Sequence, residues 1–413
     1  MLSTILYLLW ALITVRADQK LQPDEVNTVT PPEETFPWSQ PRLPTSIKPE
    51  HYFLSVHPDV GSDSFTGQVR ILITVVNDTS FIILNSKDLV IQEATLLGLS
   101  VPSLIYQEAR PVQSQMLHRA NVAQEKLVKQ PMALRVLESE ATEQLALLMD
   151  TPLVAGHKYQ LSLSYSGKFS DSNSGIYKAS YRTPADAAPR TIVATHFEPS
   201  AARKAFPCFD EPSMKAVFSL VVVRRSEHIS LSNMPKLHTE AIEDGLEQDY
   251  YQTSVRMSSY LVAFVICDYA VNSAETKRGV KVSVFAANHL INQTHYALQS
   301  AVEIMDIYEQ LFQIAYPLPK LDLVAVPDVE AVGTESWGLV TFREASLLYQ
   351  EQRESRRSRL RVSLLTAHEL AHQWFGNLVT MHCWRDVWLK EGFASYLEHI
   401  AVRHLKPDWC VVS

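Results

Sequence analysis

The sequence predicts an α+β chain in which a large β domain precedes a helical one, and three observations carry that reading. Apolar residues recur at every second position over much of residues 50 to 290. Near residue 293 the spacing changes to three and four. The chain is 413 residues long, enough for two or three domains at about 150 residues each and for cores that need no disulfide scaffold.

Within the β-rich part, Val69, Ile71, Ile73 and Val75 alternate with Arg70 and Thr74, and Tyr159, Leu161, Leu163 and Tyr165 alternate with Gln160, Ser162 and Ser164. A strand buried on one face requires this pattern, because successive side chains point to opposite sides. Further strands are expected at Phe218 to Val223, Leu261 to Cys267 and Val280 to Phe285. Leu298, Ala301, Val302, Met305, Tyr308 and Phe312 then form one face of an amphipathic helix. A second helix is expected from about Ser358 to Phe375, with Leu360, Leu364, Ala367, Ala371 and Phe375 inward, and a third from about Val387 to Leu405.

Composition removes several classes of function. Charged residues are 20% and hydrophobic residues 46%, which fits neither wholesale disorder nor a multi-span membrane protein. The net charge of −8 is wrong for a phosphate-backbone binder, so no nucleic-acid partner is expected. Four scattered cysteines without a Cys-x-x-Cys pair indicate neither a thiolate zinc cluster nor a disulfide framework.

The apolar run Leu2 to Val15, followed by Val15-Arg16-Ala17, reads as a signal peptide over residues 1–17; a short anchor retained in the membrane is the alternative. Sequons at Asn77 and Asn292 agree with a glycoprotein of the secretory pathway, in the endoplasmic reticulum lumen or secreted. Residues 18–45 are proline-rich and polar, an exposed lead-in. The β domain is expected over 46–270 and the second domain over 271–413.

The chemistry centres on His368-Glu369-Leu370-Ala371-His372. Histidines four apart on a helix stand one turn above each other and can reach one cation. Glu369 would lie beside the open coordination position as a general base, and one Zn²⁺ per chain is expected. Glu391 follows His372 by nineteen residues, enough for the chain to turn and enter a facing helix, where Phe393, Leu397 and Ile400 would seat it and Glu391 would complete the ligand set. Two ordinary histidines and an exposed helix-start acid are the bland alternatives.

These residues, with Gln373-Trp374-Phe375-Gly376-Asn377, the Trp388-Leu389-Lys390-Glu391-Gly392-Phe393-Ala394 run, Phe197-Glu198-Pro199 and Pro207-Cys208-Phe209-Asp210-Glu211-Pro212, resemble the gluzincin aminopeptidases. The likeness is greatest to their endoplasmic reticulum and oxytocinase-type branch, and it extends from about Phe36 to the C-terminus. The resemblance implies a saddle-shaped antiparallel β domain followed by the first part of a thermolysin-like zinc domain. It also implies hydrolysis of N-terminal residues from peptides with a free amino terminus.

Val332-Gly333-Thr334-Glu335-Ser336 stands where the family carries Gly-Ala-Met-Glu-Asn, so of these five positions only the glutamate agrees. By resemblance, Glu335 and Glu198 grip the substrate's α-ammonium, His196 lines the pocket for the first side chain, and Gly333, Thr334 and Ser336 border the peptide. The changed neighbours put the backbone contacts to the peptide in question. His382 and Cys383, between the ligands, read as packing, and Arg353, Arg356, Arg357, Arg359 and Arg361 as a solvated helix start.

The family's oxyanion-stabilising tyrosine is expected several dozen residues beyond the third ligand, whereas Ser413 follows Glu391 by twenty-two. The sequence therefore reads as a C-terminally truncated aminopeptidase. A non-catalytic fragment that binds peptides or partners, and a zinc endopeptidase, remain the alternatives.

Overall fold

The computed structural model describes residues 35–99, 130–184, 188–351 and 355–409. The signal segment, most of the lead-in, Arg353 and Cys410 lie outside the described residues. The described residues from Phe36 onward form one unit.

Its first layer is an eight-stranded sheet built around Ile47–Asp59, Ser64–Val75 and Lys158–Lys168. The period-two reading holds here: Val69, Ile71, Ile73 and Val75 are all buried, and Val69 and Ile71 face Leu163 and Leu161 across the antiparallel ladder. One pairing departs from an all-antiparallel domain, because Ile47–Asp59 runs parallel to Val217–Arg225. Three-stranded and four-stranded sheets complete the β-rich part. The four-stranded one contains Arg190–His196 and Phe264–Cys267, the latter shorter than expected because Ser259–Leu261 forms a 3₁₀ turn.

A five-stranded sheet then begins with Ala270–Glu275. Its strands Lys281–Ala286, Lys320–Val326 and Leu339–Arg343 are mutually parallel, and the edge strand Gly333–Thr334 pairs antiparallel with the last of them. Lys320–Val326 is buried along its whole length, as the middle of a parallel sheet requires.

Three long helices follow. His295–Phe312 buries Leu298, Ala301, Met305 and Tyr308 as its spacing predicts. Arg356–Ala371 starts at Ser355, whose hydroxyl accepts a hydrogen bond from the Ser358 N–H. This helix ends at Ala371, not Phe375. The Tyr308 hydroxyl donates to the Ala367 carbonyl at 2.8 Å and ties the first helix to the second beside the histidine pair. Trp388–Leu405 packs on the second helix and buries Ala394, Leu397 and Ala401. Phe393, expected inward, is 47% exposed, although its ring stacks on Phe375 at 4.7 Å. No helix among the described residues is long and apolar enough to cross a membrane. Cys208, Cys267 and Cys383 are free thiols.

Candidate metal centre and peptide site

His368 and His372 lie on the last turn and at the end of one helix, and Glu391 on the first turn of the next, so the two helices bring three donors together. His368 Nε2 and His372 Nε2 are 3.2 Å apart, and Glu391 Oε2 lies 3.4 Å from the first and 3.7 Å from the second. Bonds of about 2.0 to 2.1 Å in a tetrahedron put neighbouring ligand atoms about 3.3 Å apart, so this triangle has the size of one tetrahedral zinc face. Two imidazoles and a carboxylate are also the donor chemistry zinc favours. The residues present fit the metal.

The far side of each imidazole is fixed. His368 Nδ1 donates to Glu398 Oε2 at 2.8 Å, and His372 Nδ1 to the Phe375 carbonyl at 3.0 Å, which leaves both Nε2 atoms facing the shared point. The Phe375 carbonyl is in place because the chain turns sharply after the helix. Gly376 sits there at φ 129°, a conformation that favours glycine.

The electrostatics match a cation seat. Burial alone would lower the His368 pKa, but hydrogen bonds to Glu391 and Glu398 raise it to about 10. His372 is raised too, against burial, by Glu335 and Glu391. Glu391 is held well below the usual carboxylate range: burial opposes this, but the two histidines and Lys390 prevail. Glu369 is pushed up to about 7 by burial and by the charge of Glu335.

Glu369 is buried beneath the Gly333–Thr334 edge strand. A Cβ on Gly333 would meet its Oε1 at 2.2 Å, so the strand and the carboxylate touch because residue 333 has no side chain. Two residues on, the Glu335 carbonyl accepts from Asn377 Nδ2 at 2.9 Å and from Gln373 Nε2 at 3.2 Å. Thr334 and Ser336 are buried on either side.

Glu198, in the segment after Arg190–His196, meets Glu335 from the β-rich part through Lys390. Lys390 Nζ is 2.6 Å from Glu198 Oε1, bonds to Glu335 Oε1, and is 2.9 Å from Glu391 Oε1. Burial works against the Lys390 charge, but Glu335 and Glu198 raise its pKa far above the ordinary lysine value. Burial also disfavours ionised Glu335, yet Lys390 and His372 keep it ionised, while burial and Glu335's own charge push Glu198 upward.

His196 stands apart from this cluster. Its Nδ1 bonds the Asn173 carbonyl at 2.9 Å, and it shares a small crevice with Thr334, Tyr177 and Phe342. His382 is exposed and Cys383 Sγ reaches Asp386 at 3.6 Å, so neither joins the metal triangle. Arg356, Arg357 and Arg361 are exposed as expected, whereas the Arg359 guanidinium lies 4.6 Å over the Tyr296 ring.

Two residues escaped the sequence reading. Glu398 was detectable in principle, because it lies two turns after Glu391 on the same face of one helix. Lys390 carried no signal beyond its position next to Glu391.

Residues 48–261 match the Peptidase M1 N-terminal domain, and residues 296–413 match the Peptidase family M1 domain. The chain belongs to peptidase family M1. Peptidases of this family are zinc metalloenzymes. Among curated relatives, the chain is 46% identical over 375 residues to endoplasmic reticulum aminopeptidase 2 of Homo sapiens, covering 91% of this chain and 37% of that protein. It is 42% identical over 407 residues to endoplasmic reticulum aminopeptidase 1 of Homo sapiens, covering 98% and 40%. It is 36% identical over 370 residues to aminopeptidase M1 of Arabidopsis thaliana, covering 90% and 39%. The chain thus spans 37–40% of the length of these relatives. Architecture and family agree with the sequence reading: the family's β-rich N-terminal domain, followed by the start of its catalytic domain.

Proposed function

We propose that this chain carries the zinc-binding and amine-recognising half of an aminopeptidase site, which removes N-terminal residues from peptides with a free amino terminus. The observation that carries the reading is the donor triangle of His368, His372 and Glu391, with edges of 3.2, 3.4 and 3.7 Å. Zinc, when bound there, supplies Lewis-acid polarisation of the scissile carbonyl and makes the attacking water more acidic.

The chain's own residues do the rest. Glu369 takes the proton of the attacking water on a carboxylate oxygen and returns it to the leaving amine. Glu335 and Glu198 receive the substrate ammonium, which sets the distance from the amino terminus to the reacting bond at one residue. Charge-assisted hydrogen bonds of this kind contribute about 1.5 to 3 kcal/mol each. Gly333, Thr334 and Ser336 supply the strand beside the peptide, and His196 borders the first side chain. The endoplasmic reticulum lumen is the compartment, in keeping with the names of the relatives and with exposed Asn77 and Asn292.

A second reading, peptide binding without turnover, is favoured by the tyrosines. Tyr396 is 59% exposed, and the Tyr260 hydroxyl donates to the Gly376 carbonyl at 3.0 Å. Losing one oxyanion donor costs about 10² to 10³ in turnover.

The test is hydrolysis of an aminoacyl fluorogenic substrate by the zinc-loaded chain, with and without a chelator. Chelator-sensitive turnover supports the aminopeptidase, whereas stoichiometric zinc without turnover supports the second reading. Absence of zinc from folded protein overturns both. Cleavage of amino-blocked peptides at internal bonds assigns the chain to endopeptidase action instead.

A further inference from the structure

We propose that Lys390 is a built-in occupant of the α-ammonium subsite: its side-chain ammonium sits between the carboxylates that would receive a peptide's amino terminus, and a peptide enters by displacing it. The proposal rests on the aminopeptidase reading of Glu198 and Glu335 given above.

An ammonium has three N–H donors, and the Lys390 ammonium has three carboxylate partners, on Glu198, Glu335 and Glu391. Its side chain is only 3% exposed. A peptide's α-ammonium carries the same charge and the same three donors, so the two groups seek one set of acceptors and repel each other.

The slot around the lysine is also shaped for it. The Tyr260 ring lies under the ammonium, 5.7 Å from Nζ to the ring centre. A Cβ on Gly376 would press on Lys390 Cδ at 3.2 Å, so glycine there leaves room for the aliphatic stem. The lysine is therefore seated at both its head and its stem.

A lysine that only neutralises buried acids makes the opposite prediction from one that occupies a subsite. Removing a structural counter-ion weakens the site and leaves ligand binding no better. Removing an occupant opens the site to an external amine.

The experiment measures binding of L-leucinamide, with N-acetyl-L-leucinamide as the control lacking the ammonium, to the full zinc-loaded chain by calorimetry. It compares the parent, Lys390→Met and Lys390→Arg. The expected result is at least tenfold tighter leucinamide binding by Lys390→Met, no gain by Lys390→Arg, and no change for the acetylated control. Lys390→Met should also melt at lower temperature than the parent, with saturating leucinamide raising its midpoint more than the parent's.

Should Lys390→Met fail to fold, Lys390→Gln carries the same comparison. If parent and variant both prefer leucinamide to its acetylated form, but equally, the amine subsite stands and the occupancy proposal is overturned. If neither distinguishes the two ligands, the ammonium reading of Glu198 and Glu335 falls, and this proposal falls with it.

Discussion

The gluzincin aminopeptidases carry alanine at the position of Gly333, but in this chain the edge strand lies directly against Glu369. Gly333→Ala should therefore lower catalysis while sparing the metal, and the size of the effect follows from one contact. The new Cβ would stand 2.2 Å from Glu369 Oε1, 2.4 Å from its Cδ and 2.7 Å from its Cγ. An ordinary contact begins at 3.4 Å, so the carboxylate must retreat by about 1.2 Å or the edge strand must lift away from it. Glu369 is buried and cannot simply swing into solvent, and the strand is held through the Glu335 carbonyl by Gln373 and Asn377. A misplacement of about 1 Å in a reacting group can cost about 100-fold in rate. The three atoms nearest the new methyl group all belong to Glu369, none to His368, His372 or Glu391, so zinc stoichiometry should be unchanged. The assay is kcat on an aminoacyl fluorogenic substrate, with zinc content and melting midpoint measured on the same preparation. Turnover within twofold of the parent at full zinc occupancy would refute the placement of Glu369 as base beneath that strand.

Glu369→Gln should abolish turnover and keep the zinc; retained activity in that variant removes Glu369 from the mechanism. Glu398→Gln should weaken zinc binding by about 10- to 100-fold, since it loosens the far side of His368, and competition against a chelating dye reads this directly. Away from the site, burial would raise the Asp249 pKa, but Arg224, Ser230, Thr239 and Lys236 together lower it to about 2. A carboxylate depressed from 3.8 to about 2 contributes roughly 2 kcal/mol of stability above pH 4, lost as pH falls through 2. Asp249→Asn should therefore lower the denaturation midpoint at pH 7 but not below pH 2; a deficit that persists in acid would contradict this assignment.

What the sequence disclosed depended on how local the determining interaction was. The His368–His372 spacing needs only one helical turn, and the Val69 to Val75 alternation only one strand, so both were readable without the fold. The approach of Glu391 to the histidine pair was readable because nineteen residues allow one turn between two packed helices. The parallel pairing of His51 with Val217 joins segments far apart in sequence, and no periodicity announces it. Phe393 failed as a core residue for a local reason. On a helix one residue is about 100° of rotation, and Ala394, not Phe393, falls on the buried side. Lys390 was invisible because its role comes from carboxylates on three different segments, Glu198, Glu335 and Glu391, that only the folded chain assembles.

The altered Val332 to Ser336 stretch is held in place by contacts from outside itself. Four of its five residues differ from the pattern of the gluzincin aminopeptidases, which makes the backbone path the point at issue. That path is held from outside the stretch: the Glu335 carbonyl accepts two amide donors, Asn377 Nδ2 and Gln373 Nε2, both from the segment that follows the histidine pair. Thr334 and Ser336 can differ in side chain because neither makes this anchor. The close neighbour is Gly333: in this chain the strand lies against Glu369 and leaves no room for the Cβ that the family's alanine carries there. This strand is therefore held at the 335 carbonyl, and glycine at 333 lets it lie against Glu369. With its carbonyl anchored in this way, Glu335 stands beside the donor triangle, its Oε1 4.0 Å from His372 Nδ1.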